Sequence, residues 1–297
     1  MRACRTGNPR SPLKPDNGRQ SADSVWTLTI QADKGVDTKA LNLDGNNLTA
    51  YWTSSDKVKV YKSGTYLCDL GVTPAEGEKP TIATLTGTTT AQLAVEDVLT
   101  LMIPSDSWDY TGQDGTINSI SSNYAFATAT VTVKTKEGTD NTITTTGASF
   151  NKEQSIYRFQ FLLNGSSSDP VNVKDFLLWS SDKKALVQKK ELVNGQWSST
   201  TGFLCVKPGS DTNEPLYVSI RNEMAAPSAQ EISAQTVVDT YNFVLTGSNH
   251  ELYLASKDIP AHVLDAPGKF ISATTIVARQ PDFTAASGTI SNVTDVY

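Results

Sequence analysis

The chain alternates apolar and polar positions over short stretches. In residues 25–30, Trp26, Leu28 and Ile30 are separated by Thr27 and Thr29, the period-two spacing of a strand with one buried face. Comparable segments recur at residues 58–61, 66–72, 98–103 and 125–133. In the last of these, Phe126, Thr128, Thr130 and Thr132 are expected on one face. Ala125, Ala127, Ala129, Val131 and Val133 then share the other. Turn signals divide the runs: Asp44-Gly45, Gly64, Glu76-Gly77 and Gln113-Asp114-Gly115.

A polar stretch, residues 134–147, is expected to be a hairpin or loop. A second series follows at residues 156–163, 171–179, 185–193, 216–221, 237–245, 251–254 and 270–278. Asn194-Gly195 separates two strand-like runs, and both residues tolerate positive φ, the requirement of a type I′ hairpin. Many short strands without sustained helical periodicity predict an all-β protein of two tandem β-sandwich domains. The expected units are residues 25–150 and 151–280, meeting near 147–155. A disordered leader, residues 1–24, precedes them. Residues 281–297 form a tail, a terminal strand or the start of a further module.

Composition supports sheets with one wet face. Charged residues make up 19% and hydrophobic residues 38%, while Thr outnumbers Lys and Arg together. Thr suits exposed strand positions, because its β-branch fits the pleat and its hydroxyl faces water. The net charge of −6 argues against nucleic acid, since no basic surface replaces the phosphate counterions.

Three cysteines, Cys4, Cys68 and Cys205, cannot close a complete disulfide set. Cys68 and Cys205 lie in strand-like runs and are expected to be small buried apolar residues. No apolar run approaches the length that spans a bilayer. The first residues, Met1 to Arg5, lack the hydrophobic core of a signal peptide. The basic, Pro- and Gly-rich leader therefore reads as a flexible arm, a gene-model artefact or an end whose upstream signal is missing.

Catalytic patterns are absent from the sequence. There is no HExxH, CxxC, EF-hand, GxSxG or phosphate-loop spacing, so no metal or cofactor is implied and no enzyme activity is expected. His250, at an expected hairpin turn, and His262 are expected at the surface. One cluster stands out, the run from Asp106 to Gly115. Trp108 and Tyr110 offer a stacking platform for a sugar ring, with Asp109 and Gln113 bonding its hydroxyls. Its three Asp residues suit a weak calcium ion. The same residues equally describe a long loop whose aromatics anchor it to the sandwich end. Trp26, Trp52, Trp179 and Trp197 are expected to pack within or between sheets.

Several segments together resemble the fimbrillin-like proteins of Bacteroides and its relatives. They are Lys39-Ala40-Leu41, Ala50-Tyr51-Trp52, Val58-Lys59-Val60-Tyr61, and the run from Val98 to Pro104 that leads into Trp108-Asp109-Tyr110-Thr111-Gly112-Gln113. Later echoes are the run from Leu216 to Glu223 and Gly268-Lys269-Phe270-Ile271. The resemblance implies two transthyretin-like sandwiches in an exported, lipid-anchored protein of the bacterial cell surface and outer membrane. Its implied partners are other pilus subunits or surface ligands, glycans among them. Related pilins polymerise after a protease cuts behind an arginine and removes the first strand, opening a groove for a neighbour's strand. Here no arginine occurs between Arg19 and Arg158, so a cut after Arg19 leaves the 25–30 strand in place. The expectation is therefore a pilus accessory or stand-alone surface protein with a structural or adhesive role; the alternative is a glycan-binding surface lipoprotein. Ala3-Cys4 resembles the end of a lipobox, which makes Cys4 a lipidation candidate if the start codon is misplaced.

Overall fold

A computed structural model describes residues 24–34, 41–44, 47–104, 106–137, 141–164, 166, 169–181, 184–224, 239–259 and 270–280. Cys4, His262, the 1–23 part of the leader and the 281–297 tail lie outside the described residues. Within them the regular structure is almost entirely strand, apart from a short helical stretch at residues 117–124.

The first series builds a closed sheet. Its strands are β1 (Trp26–Asp33), β4 (Lys57–Lys62), β5 (Thr65–Pro74), β6 (Ile82–Thr89), β7 (Val98–Ile103), β9 (Ala127–Glu137) and β10 (Thr142–Thr145). β2 (Leu41–Asp44) and β3 (Asn47–Ala50) form a separate hairpin. The order runs β10-β1-β6-β5-β4-β7-β9, and β10 also pairs with β9, so the ring closes. Closure leaves no long edge exposed. β10 lies parallel to β1, with Leu28 beside Ile143. The short β11 (Ala148–Ser149) and β12 (Asn151–Lys152) add to β1 and β9.

The alternation read from sequence sets the inner face. Leu28, Ile30, Val58, Val60, Leu70, Leu85, Leu99, Leu101, Val131 and Val133 fill one apolar cluster. Ala127 and Ala129 face the same interior, as the 125–133 pattern requires. Within the polar stretch 134–147, β10 pairs antiparallel with the end of β9.

The second series forms a seven-stranded sheet and a smaller one. The larger contains β13 (Ser155–Leu163), β14 (Val173–Ser180), β17 (Leu204–Val206), β18 (Leu216–Ile220), β20 (Asp239–Gly247), β21 (Leu252–Ile259) and β22 (Phe270–Arg279). Its order is β17-β14-β20-β21-β22-β13-β18. The four-stranded sheet centres on β15 (Lys184–Val193), flanked by β16 (Gln196–Gly202), β19 (Asn222–Met224) and β8 (Ser107–Asp109). Leu186 and Val187 of β15 share one apolar cluster with Phe159, Phe161, Phe176 and Phe243 of the larger sheet. Asn194 and Gly195 both carry positive φ, +50° and +78°, as the hairpin signal demands.

Two expectations are corrected by strand alternation. Cys205 is exposed, because Leu204 and Val206 on either side of it face the core. Cys68 is buried, and both thiols are free. Trp179, between inward Leu178 and the strand end, points to the outer face of its sheet and is 37% exposed. Trp197 is exposed to the same degree, with one side of its ring against Trp108, whereas Trp52 is buried as expected.

Candidate functional site

Asp106 to Gly115 belongs by sequence to the first series, yet β8 pairs antiparallel with β15 of the second. Trp108 sits opposite Lys190, Asp109 opposite Lys189 and Ser107 opposite Glu191. The backbone of Tyr110 continues the attachment, its N–H donating to the carbonyl of Gln188 at 2.8 Å.

Trp108 and Tyr110 enter the apolar cluster of the second series, both essentially sealed from solvent. Trp108 lies 4.3 Å from Trp197 between ring centroids and 5.8 Å from Phe126. Tyr110 meets Phe126 edge-on at 5.1 Å. Phe126 belongs to this cluster because it faces away from Ala127, whose side chain fills the first core. The stacking role expected of Trp108 and Tyr110 does not fit this placement, because their ring faces are occupied by protein. Burial also drives the Tyr110 phenol far above its usual range, against the opposing charge of Arg221.

Gln113 is the polar counterpart of these aromatics and is also buried. Its side-chain amide donates to the carbonyls of Tyr110 (2.9 Å) and Ser219 (2.8 Å), and its oxygen accepts from the Ser219 N–H at 2.7 Å. The amide thus engages both backbone groups of Ser219 on β18, as a neighbouring strand would. Its backbone bridges Val206 of β17, and its carbonyl accepts from the Lys207 N–H at 2.9 Å. Two residues on, the Gly115 carbonyl accepts from the Tyr217 N–H at 2.8 Å. The segment therefore joins β17 and β18, the two terminal strands of the seven-stranded sheet.

The aspartates of the run serve local turns. Asp109 Oδ1 accepts from the N–H and hydroxyl of Thr111, and Asp114 Oδ1 does the same for Thr116. Asp106 lies 3.6 Å from Lys59. Among the described residues no three His, Cys, Asp or Glu side chains gather at a point where a metal ion could sit. His250, in the turn between β20 and β21, is exposed and lies 3.2 Å from Lys174.

Around the aromatics runs a set of charges that sequence reading missed. Arg221 bonds the backbone carbonyl of Glu153 at 2.6 Å and pairs with its carboxylate. Arg221 also approaches Glu223 at 3.5 Å and lies 5.6 Å from the Trp108 ring. Lys190 pairs with Glu223 at 2.7 Å and sits 5.5 Å from the Trp197 ring. Burial opposes ionisation of Glu223, but hydrogen bonds from Lys190 and Ser199, with the Lys190 and Arg221 charges, hold its pKa below the usual value. Glu153, Lys190 and the Arg221–Glu223 pair come from distant parts of the chain, so no local spacing could have revealed the set. Glu153 follows β12, and the link it makes with Arg221 completes a junction of aromatic stack, amide plug and ion pairs.

A separate cleft of about 660 Å³ lies on the outer face of the seven-stranded sheet. Trp179, Asn242, Leu254, Ser256, Val277 and Arg279 line it.

No family model matches the chain, and no curated protein matches it significantly. Several solved structures align over most of its length at low identity. A Bacteroides uniformis protein assigned to cell adhesion is 13% identical, aligning over 86% of this chain and 97% of its own, with a TM-score of 0.42. A Bacteroides ovatus protein with the same assignment is 11% identical over 87% and 97%, with a TM-score of 0.41. A fimbrial assembly protein of Parabacteroides distasonis is 11% identical over 82% and 88%, with a TM-score of 0.35.

Proposed function

We propose that the chain is a bacterial cell-surface protein of the fimbrillin-like type, with two tandem β-sandwich domains and a structural or adhesive role. The observation that carries this reading is the junction. Its richest cluster of aromatic and polar side chains is committed to holding β8 and Gln113 into the second series of strands. Such a strut suits a protein that presents surfaces at fixed spacing. The placement of β1 supports an accessory or stand-alone role. It is paired with β6 over its full length and with β10 on the other side, so trimming the leader leaves the closed sheet intact.

The test is surface display. Expressed with an export signal and lipobox on a bacterium of the Bacteroides group, the protein should be reached by antibody on intact cells and should increase attachment to host-cell or bacterial surfaces. Antibody access without any gain in attachment to either surface would remove the adhesive role. Retention inside the cell despite export of a control would remove the surface reading.

Glycan capture is favoured by one observation at a different place from the run 106–115. Trp179 presents an exposed indole beside Asn242, Ser256 and Arg279 in the outer cleft, an aromatic face with polar groups at its rim. On a glycan array, selective binding abolished by Trp179→Ala supports this reading, and an array without selective binding ends it.

A further inference from the structure

The molecule treats its strand edges unequally. The first sheet closes on itself through β10. The end strands of the seven-stranded sheet, β17 and β18, are engaged by Gln113 and Gly115. β16 is different. All seven of its residues are exposed, and among the described residues β15 is its only strand partner.

The sequence of β16, Gln196-Trp197-Ser198-Ser199-Thr200-Thr201-Gly202, holds no charge and no proline. Charge and proline are two of the devices with which a monomeric sheet blunts an open edge; a third, a bulge, is confined to β15 between Val187 and Lys189 and leaves β16 itself continuous. The edge is also held in place before any partner arrives. β15 is fixed by β8 on one flank and its start by β19. The turn at Asn194-Gly195 rests on the Ser63-Gly64 turn of the first sheet so closely that a Cβ on Gly64 would lie 2.1 Å from the Gly195 Cα. A rigid edge loses little conformational freedom on pairing.

We propose that β16 docks against β16 of a second copy of this chain, the two strands running antiparallel with Ser199 at the two-fold axis. The register follows from the hairpin. In a two-residue hairpin closed by Val193 and Gln196, those residues bond each other. Trp197 and Ser199 consequently turn their N–H and C=O groups away from β15. Centred on Ser199, the pairing joins outward-facing Ser199 to its own copy and Trp197 to Thr201 of the second chain. Every residue of the strand then finds a partner, from Gln196 opposite Gly202 to Ser198 opposite Thr200. No like charges meet, because there are none. Such an isologous contact closes as a dimer and does not propagate into a fibre.

The pairing does not depend on the adhesive reading, and the two are measured separately: attachment on surfaces, association in free solution. Sedimentation velocity of the full chain from about 1 to 200 μM, a range set to bracket a micromolar contact, should show concentration-dependent dimer formation. Ser199→Pro removes the outward N–H and leaves the β15 ladder alone. Ser198→Glu with Thr200→Glu sets carboxylates opposite one another across the axis. Each variant should weaken the dimer by at least about tenfold, with an unchanged β-sheet circular-dichroism spectrum. Ser199→Ala, which loses only the hydroxyl, should dimerise like the parent. A parent that stays monomeric over the whole range overturns the proposal, as does a dimer that both disruptive variants leave undiminished. If Ser199→Pro fails to fold, the double glutamate variant decides.

Discussion

Lys34 and Asp56 show what a single pair of residues does inside the first sheet. Lys34 is fully buried, its ammonium 2.6 Å from Asp56, 2.6 Å from the Tyr51 carbonyl and 4.4 Å from the Trp52 ring centre. Asp56 also accepts from the Thr53 N–H at 3.1 Å. Removing one partner strands a charge where water cannot reach it. Lys34→Ala and Asp56→Ala should each cost about 3–5 kcal/mol in urea unfolding, and Lys34→Met with Asp56→Leu should recover most of the loss. A single alanine variant within 1 kcal/mol of the parent, roughly the edge of a surface-pair effect, would contradict this account.

Titration is the second effect at this scale. Burial pushes the Cys68 thiol from 9.0 up to about 11 and the Tyr157 phenol from 10.0 up to about 12. Both groups are neutral when protonated, so the unfolded chain ionises first. Their contribution to stability is complete below pH 9, falls as the pH rises above it, and is lost by about 12. The urea midpoint should therefore decline between pH 9 and 11, and Tyr157→Phe should flatten the part of the decline above pH 10. A midpoint constant across that interval would exclude it.

Among the elements, the segment from β8 to Gly115 matters most. Gln113→Leu keeps the volume but deserts the Ser219 N–H, the Ser219 carbonyl and the Tyr110 carbonyl in a buried place. The expected cost is about 2–4 kcal/mol. Gln113→Glu should be no better, because a carboxylate cannot donate to those two carbonyls. The Asn194-Gly195 turn meets the Ser63-Gly64 turn, whose residues also carry positive φ, +50° and +79°, and this gives a second expectation. Gly195 carries φ +78°, and a Cβ there would lie 3.2 Å from the Ser63 carbonyl oxygen. Gly195→Ala should lower stability by about 1–3 kcal/mol and raise hydrogen exchange in both hairpins. Exchange that rises in only the β15–β16 hairpin would show that the turns do not support each other.

For the whole molecule, the junction decides how the parts depend on one another. Trp108, Tyr110 and Phe126 lie in the cluster filled by residues from 157 onward. A fragment of residues 151–297 would lack these aromatics and the Gln113 plug. It should expose apolar surface, bind hydrophobic dye and melt without cooperativity. Adding a fragment of residues 1–150 in trans should restore a cooperative transition. A 151–297 fragment that melts sharply alone would mean the junction is decoration.

Period-two alternation, Thr-rich wet faces and Asn-Gly turns are local properties. The sequence alone therefore determined most of the longer strands, their inward faces in β1 and β9, and the hairpin at Asn194-Gly195, but not β6 (Ile82–Thr89), which pairs with both β1 and β5. The same locality explains the misreadings. Cys205 and Trp179 are apolar residues in strands, but which face meets a second layer depends on a partner far along the chain. Trp108, Tyr110 and Gln113 stand out by composition as an aromatic and polar cluster, and composition is the same for an open binding loop and a buried strut. Only tertiary structure chose between them, because the choice rests on β15, β18 and Arg221 arriving from more than seventy residues away and covering their faces.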